Sequence, residues 1–222
     1  MAQYYSPKIV TSGLVTLFDA ANNKSYPGSG TKIYDLSATR GTGTFTGTLS
    51  YSTLGGGSLS FDGSNSYVYF SNPLGQSATA QVWTVQSWIN ITHNGVTLPQ
   101  YLVSGMNKGN IIEAWQGNNS IMYLSDGVND YYTYGGQFTA QGWVMATFRF
   151  NNANGNRQIL RNLTDTSTGG PNNTSTPSGL AATFTMGNYA LGNIANLLIY
   201  NRYLSDSELL QNYEAQRGRF GV

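Results

Sequence analysis

The sequence predicts an all-β fold: two antiparallel sheets packed face to face as a sandwich, with one short helix at the C-terminal end. Three observations carry this. Segments with apolar side chains at every second position recur along the 222 residues, as strands with one buried face require. Turn residues separate them, and Asp62-Gly63, Asn94-Gly95, Asp126-Gly127 and Asn154-Gly155 each favour the positive backbone angles of tight reversals. One sharply punctuated helix start occurs, close to the end. A chain of this length buries roughly 70% of its unfolded surface, enough for one core and one domain.

Residues 1–12 read as an arm or first strand, 13–216 as the sandwich domain and 217–222 as a tail. Strands are expected at 13–18, 58–61 and 67–70, then at 83–91, where Trp83, Val85, Ile89 and Ile91 share one side. Further strands are expected at 101–104, 111–115, 121–124 and 131–134. In 143–150, Val144, Ala146, Phe148 and Phe150 fall on one side, so both long segments read as half-buried strands. After a strand at 157–163 comes the polar stretch 164–180, with two prolines and Leu180 as its only core residue, which reads as an exposed connection or a contact loop.

Strands at 182–186 and 194–200 complete the sheets. The helix start follows. Ser205 and Glu208 have the spacing of a capping box, and Leu204 and Leu209 that of a hydrophobic staple. The helix is expected to present Leu209, Leu210 and Tyr213 on one face. Arg217 complements the negative end of its dipole, and Gly218 is placed for a left-handed exit. Beyond that exit, Phe220 and Val222 either fold back or dock on a neighbouring subunit.

Composition excludes several functions. Only 9% of residues are charged, against roughly 25% in an average soluble protein, so the surface is polar but mostly uncharged. With net charge +1 and no run of Lys or Arg, nothing attracts a phosphate backbone, and no nucleic-acid partner is expected. No stretch of about 18 apolar residues occurs, so no membrane span is expected. The N-terminus lacks the apolar core of a signal peptide, and export by the general secretory route is not indicated. The absence of cysteine excludes disulfides, thiolate catalysis and Cys-based zinc sites. Glycosylation acceptor patterns at Asn90, Asn118, Asn162, Asn172 and Asn173 are no more than this composition gives by chance.

Catalytic arrangements are missing too. Hydrolysis of a glycoside needs two carboxylates across the sugar, yet the glutamates are Glu113, Glu208 and Glu214 alone, and Glu113 has no acidic neighbour two or four positions away. The single histidine, His93, falls in a hairpin turn. No metalloprotease, phosphate-loop or dinucleotide motif is present. The chain is therefore not expected to be an enzyme. Binding of sugars asks for an aromatic ring flanked by amides and hydroxyls. Trp115 with Asn118, and Tyr131, Tyr132 and Tyr134, form the best such candidates, the competing reading being that these rings pack as cross-strand pairs.

The Phe61-Asp62-Gly63 turn followed by Tyr67-Val68, the strands WTVQSWINI and GWVMATFRF, and the ending IANLLIYNRYLSDSELLQNY resemble the concanavalin A-like, laminin-G-type jelly roll over residues 13–216. The segments FDAANNKSYPGSGTKIYDLS and QNYEAQRGRFGV are similar to the version found in structural proteins of tailed bacteriophages. The resemblance implies a non-enzymatic virion structural protein at the virion surface, as a capsid decoration, head fibre or tail component. Its partners would be other virion proteins of capsid or tail, together with host surface glycans. A fibre tip would be a homo-oligomer, a decoration a single copy. The alternative is a carbohydrate-binding module of a cell-surface or secreted protein.

The same resemblance raises calcium, which wants six to eight oxygens. Where many relatives carry acidic residues this chain has Asn65-Ser66 and Ala195-Asn196, leaving Asp19, Asp35 and Asp62 as candidate ligands. Asp62 also reads as a turn residue, and Asp35 as a local backbone cap before Ser37.

Overall fold

The computed structural model describes residues 7–75, 82–92, 100–106, 109–115, 119–125, 130–135, 138, 141–151, 156–167 and 182–222, with 105–135 described, Phe138 apart, through backbone pairing. In chain order the described strands are β1 (Leu14–Asp19), β2 (Lys32–Tyr34), β3 (Thr42–Thr46), β4 (Ser50–Ser52), β5 (Ser58–Asp62), β6 (Tyr67–Ser71), β7 (Val82–Thr92) and β8 (Gln100–Met106). They continue with β9 (Gly109–Trp115), β10 (Asn119–Ser125), β11 (Asp130–Gly135), β12 (Val144–Asn151), β13 (Asn156–Arg161), β14 (Thr164–Asp165), β15 (Thr183–Met186), β16 (Leu191–Ile194) and β17 (Asn196–Tyr200). One α-helix, α1 (Asp206–Phe220), ends the chain.

The strands form the two antiparallel sheets of a jelly-roll sandwich. The first runs β14-β13-β12-β7-β16-β5-β4, with β17 between β7 and β1; the second runs β11-β10-β9-β8-β15-β6-β3-β2. Between them lie Trp83, Val85, Ile89 and Ile91 of β7 and Val144, Ala146, Phe148 and Phe150 of β12, the alternate positions that the period-two pattern selects. From the second sheet Ile33, Val68, Phe70, Val103, Phe184 and Met186 face them.

The expectation of half-buried strands needs correction for β7 and β12, whose other faces are buried as well. Thr84, Gln86, Trp88, Met145, Thr147 and Arg149 are all nearly inaccessible because α1 lies across them. Asn212, fully buried in α1, is the seat. Its Nδ2 donates to Gln86 Oε1 at 2.6 Å and to the Tyr200 hydroxyl at 2.9 Å, while its Oδ1 accepts the Val10 N–H at 2.7 Å. Gln86 in turn donates to Thr147 Oγ1. Thr84, Gln86, Thr147 and Arg149 are tolerated there because each makes at least one hydrogen bond.

The helix begins as expected. Glu208 N–H donates to Ser205 Oγ and Ser205 N–H to Glu208 Oε2, and Leu204 and Leu209 are both buried. Its face and its end differ from the expectation. Leu210 is 49% exposed while Asn212 occupies the buried position. The helix passes through Gly218, and the left-handed cap is Gly221, at φ 73. The extra turn seats Phe220 on Trp88, stacked at 4.3 Å and 14°, with Trp143 at 4.9 Å. Phe220 thus folds back onto its own sheet.

Other differences are local. The segment 194–200 belongs to two strands that share β7 end to end, interrupted at Ala195, whose N–H donates to Trp88 O. Strand 157–163 stops at Arg161, because Asn162 (φ 47) and Leu163 (φ 70) turn the chain into the edge strand β14, the start of the expected connection. The short strands β2, β3 and β4 carry too few apolar residues to show a period. His93, Asn94-Gly95, Asn118, Asp126-Gly127, Asn154-Gly155, Asn172, Asn173 and 168–181 lie outside the described residues.

Candidate functional site

The outer face of the first sheet is occupied by α1. That of the second is open to solvent at Tyr34, Thr42, Tyr69, Ser71 and Thr183. Alternation on β6 explains why: Val68 and Phe70 point inward at 0% and 3% exposure, which turns Tyr69 outward at 45%. On β2, Ile33 points inward and Tyr34 is likewise 45% exposed.

Antiparallel register aligns the outward residues into a row. Lys32 stands opposite Thr44, Thr44 opposite Tyr69, Tyr69 opposite Thr185 and Thr185 opposite Ser104. The hydroxyls of Ser104 and Thr185 hydrogen-bond to each other. In the backbone register the row continues through Asn110 and Tyr123 to Tyr132. Among its described side chains this is a strip of hydroxyls with one phenol ring, Tyr69, and one cation, Lys32. Hydroxyls both donate and accept, and a ring offers an apolar face with a polar tip.

The expected sugar-binding residues fall on the β9-β10-β11 end of this sheet. Trp115 is opposite Asn119 and Tyr134 opposite Ile121, whereas Tyr132 is opposite Tyr123 and Tyr131 opposite Leu124. The register places Trp115 and Tyr134 toward one end of β10 and Tyr131 and Tyr132 toward the other, separated by about 7–17 Å at roughly 3.4 Å per residue. Asn118 lies outside the described residues. Tyr34 and Tyr69 were not singled out in the sequence, although the alternation in 67–70 marks Tyr69 as outward.

The three aspartates are held apart in separate structural roles. Asp35 Oδ1 accepts the N–H groups of Leu17 and Ser37, both at 2.8 Å, and its Oδ2 the Ser37 hydroxyl. Asp62 accepts N–H groups from Ser64 and Ser66 and the Ser66 hydroxyl. Burial opposes ionisation of Asp62, but these bonds outweigh it and lower its pKa. Asp19 pairs with Arg219 at 2.8 Å. No three His, Cys, Asp or Glu side chains converge among the described residues. Those side chains do not fit a calcium site.

Glu208, besides capping the helix, makes a two-pronged bond with Arg202 at 2.6 and 2.8 Å. Arg202 holds its carboxyl at about 2, below the usual 4.5, against the smaller opposing effect of burial.

Comparison with known proteins gives a consistent picture. The family model described as the concanavalin A-like lectin/glucanases superfamily matches residues 62–210. No curated protein matches in sequence. Among solved structures, the botulinum neurotoxin serotype D ligand binding domain, in complex with N-acetylneuraminic acid, superposes with a TM-score of 0.73 at 13% identity, covering 93% of this chain and 52% of that one. Botulinum neurotoxin type C, dependent upon interaction with two ganglioside molecules for entering cells, gives 0.70 at 13%, covering 91% and 51%. The binding domain of Paraclostridial Mosquitocidal Protein 1 gives 0.66 at 16%, covering 90% and 52%.

The chain thus spans about half the length of the solved chains it matches. These similar structures are toxin binding domains and not parts of a virus particle, which overturns the virion-surface location expected above.

Proposed function

Because the chain belongs to the concanavalin A-like lectin/glucanases superfamily, we propose that it is a non-enzymatic, lectin-like domain that holds a cell-surface glycan on the open face of its second sheet. The carrying observation is the strip of Thr44, Tyr69 and Thr185, with exposed Tyr34 in the neighbouring row of the same face. Its rings offer flat surfaces for the apolar side of a pyranose, and its hydroxyls match sugar hydroxyls without demanding charge. The ganglioside and N-acetylneuraminic acid named for the botulinum domains support a glycan as ligand class. The reading as a carbohydrate-binding module of a cell-surface or secreted protein therefore replaces the virion structural role, for which the comparisons offer no support.

Among the described side chains, catalysis finds no carboxylate pair to use. Glu208 and Glu214 lie on α1, over the other sheet, and pair with Arg202 and Arg217. Asp165 is bonded by Gln158 and Ser167, and Asp206 by Arg149. Glu113, on β9, belongs to the strands described by backbone alone.

A glycan array tests the proposal. The protein should bind a subset of cell-surface glycans. Tyr69→Ala and Tyr34→Ala should each weaken that binding about tenfold, equivalent to about 1.4 kcal/mol, with thermal stability unchanged. A chain that melts normally yet binds no glycan would overturn the reading.

A further inference from the structure

A small pocket opens at one end of the sandwich, between β1 of the first sheet and the ends of β3 and β6 of the second. Phe18 and Phe70 form its floor, their rings edge to face at 5.2 Å and 89°. Exposed Thr42 and Ser71 stand at its mouth, and buried Asp35 forms part of its wall. We infer that this pocket is a subsite for the acetamido group of an N-acetylated sugar, whose ring lies against Tyr34. The inference rests on the glycan-binding proposal and names the sugar class.

Size is the first argument. The pocket holds about 60 Å³, room for about four waters at roughly 15 Å³ each. A pyranose ring does not enter such a space, whereas the nitrogen, carbonyl and methyl of one acetamido substituent displace a comparable number of waters.

Chemistry is the second. An aromatic floor suits a methyl group and nothing charged. Above it, Asp35 Oδ1 is filled by two N–H groups at 2.8 Å. Its Oδ2 takes the Ser37 hydroxyl at 2.8 Å but only a long contact from Gly41 N–H at 3.4 Å. An ionised carboxylate accepts about four hydrogen bonds and Asp35 already accepts four, so an amide N–H would take the place of the weakest, the 3.4 Å contact from Gly41. Thr42 and Ser71, which line the pocket, carry hydroxyls able to donate to an amide carbonyl. The same carboxylate repels an anionic substituent, which disfavours a sugar carboxylate here.

Position is the third. Thr42 is paired directly across the strands with Tyr34, and such pairs bring Cβ atoms to about 4.5–5.5 Å. A 45% exposed ring therefore stands beside the pocket mouth, where the sugar ring carrying the substituent would lie.

The test is saturation-transfer NMR of the full chain with N-acetylglucosamine and N-acetylgalactosamine, using glucose and galactose as controls. The acetamido methyl should take the strongest saturation, and the acetylated sugars should bind at least about tenfold more tightly than their parents. Thr42→Phe and Ser71→Phe, which plug the mouth from exposed strand positions, should each erase that preference with an unchanged circular-dichroism melt. Equal binding of acetylated and parent sugars, or a preference that survives both plugs, overturns the pocket assignment and leaves glycan binding standing. If neither sugar series binds and the glycan array is also blank, both readings fall together.

Discussion

Replacing Asn212 by alanine should destabilise the protein by about 4 kcal/mol. The side chain is fully buried and serves three groups from distant parts of the chain: Gln86 Oε1 at 2.6 Å, the Tyr200 hydroxyl at 2.9 Å and Val10 N–H at 2.7 Å. After truncation the Tyr200 hydroxyl still donates to Val10 O at 3.0 Å, and Gln86 Nε2 still reaches Thr147 at 3.2 Å. Gln86 Oε1 and Val10 N–H lose the bond shown and remain buried. Each such orphan costs about 1–3 kcal/mol, which gives the sum above before any cavity term. Against a total of about 5–15 kcal/mol this is a large fraction, and for a domain of this size it corresponds to a fall in Tm of about 8–16 °C. Urea unfolding followed by tryptophan fluorescence measures it, since Trp88 lies under the same helix. A loss below about 1 kcal/mol would refute the claim that α1 is seated on Gln86.

Three further outcomes follow from the same structure. Phe220→Ala should cost about 3 kcal/mol and alter the emission of Trp88 and Trp143, on which the ring stacks; an unchanged spectrum would place the chain end elsewhere. The Arg202–Glu208 contribution should be complete above about pH 4.5 and lost as pH falls toward 2, because the folded carboxyl titrates at about 2 and the unpaired one at 4.5. Urea midpoints of the parent and Glu208→Gln should therefore converge between those pH values, and a gap that stays constant would contradict the pairing. Gly192→Ala should unfold or severely destabilise the protein, since φ is +131° and an added Cβ would meet Asn90 O at 2.4 Å; a normal melting curve would show the close strand approach to be wrong.

What the sequence made legible was local. The Ser205–Glu208 box needs only four consecutive residues, and Asp62 finds its partners within the same turn, so spacing alone identifies them. The inward faces of β7 and β12 follow from alternation. Their outward faces do not, because a buried Gln86 or Arg149 looks like any solvent-facing polar residue until α1 and its leader, more than fifty residues away, bring Asn212 and the Leu204 carbonyl. The sequence places the helix exit at Gly218; the stacking of Phe220 on Trp88 carries the helix on to Gly221. The pocket joins Phe18 and Asp35 to Phe70 and Ser71 from the other sheet, a juxtaposition no linear pattern contains.

The central claim, that the second sheet's open face binds a glycan while the first is sealed by its helix, is tested most directly by mapping amide chemical-shift changes as a bound glycan is titrated in. Shifts should concentrate in Lys32–Tyr34, Thr42–Thr46, Tyr67–Ser71 and Thr183–Met186. Shifts gathered instead on Val144–Asn151, Asn196–Tyr200 and Asp206–Phe220 would contradict it.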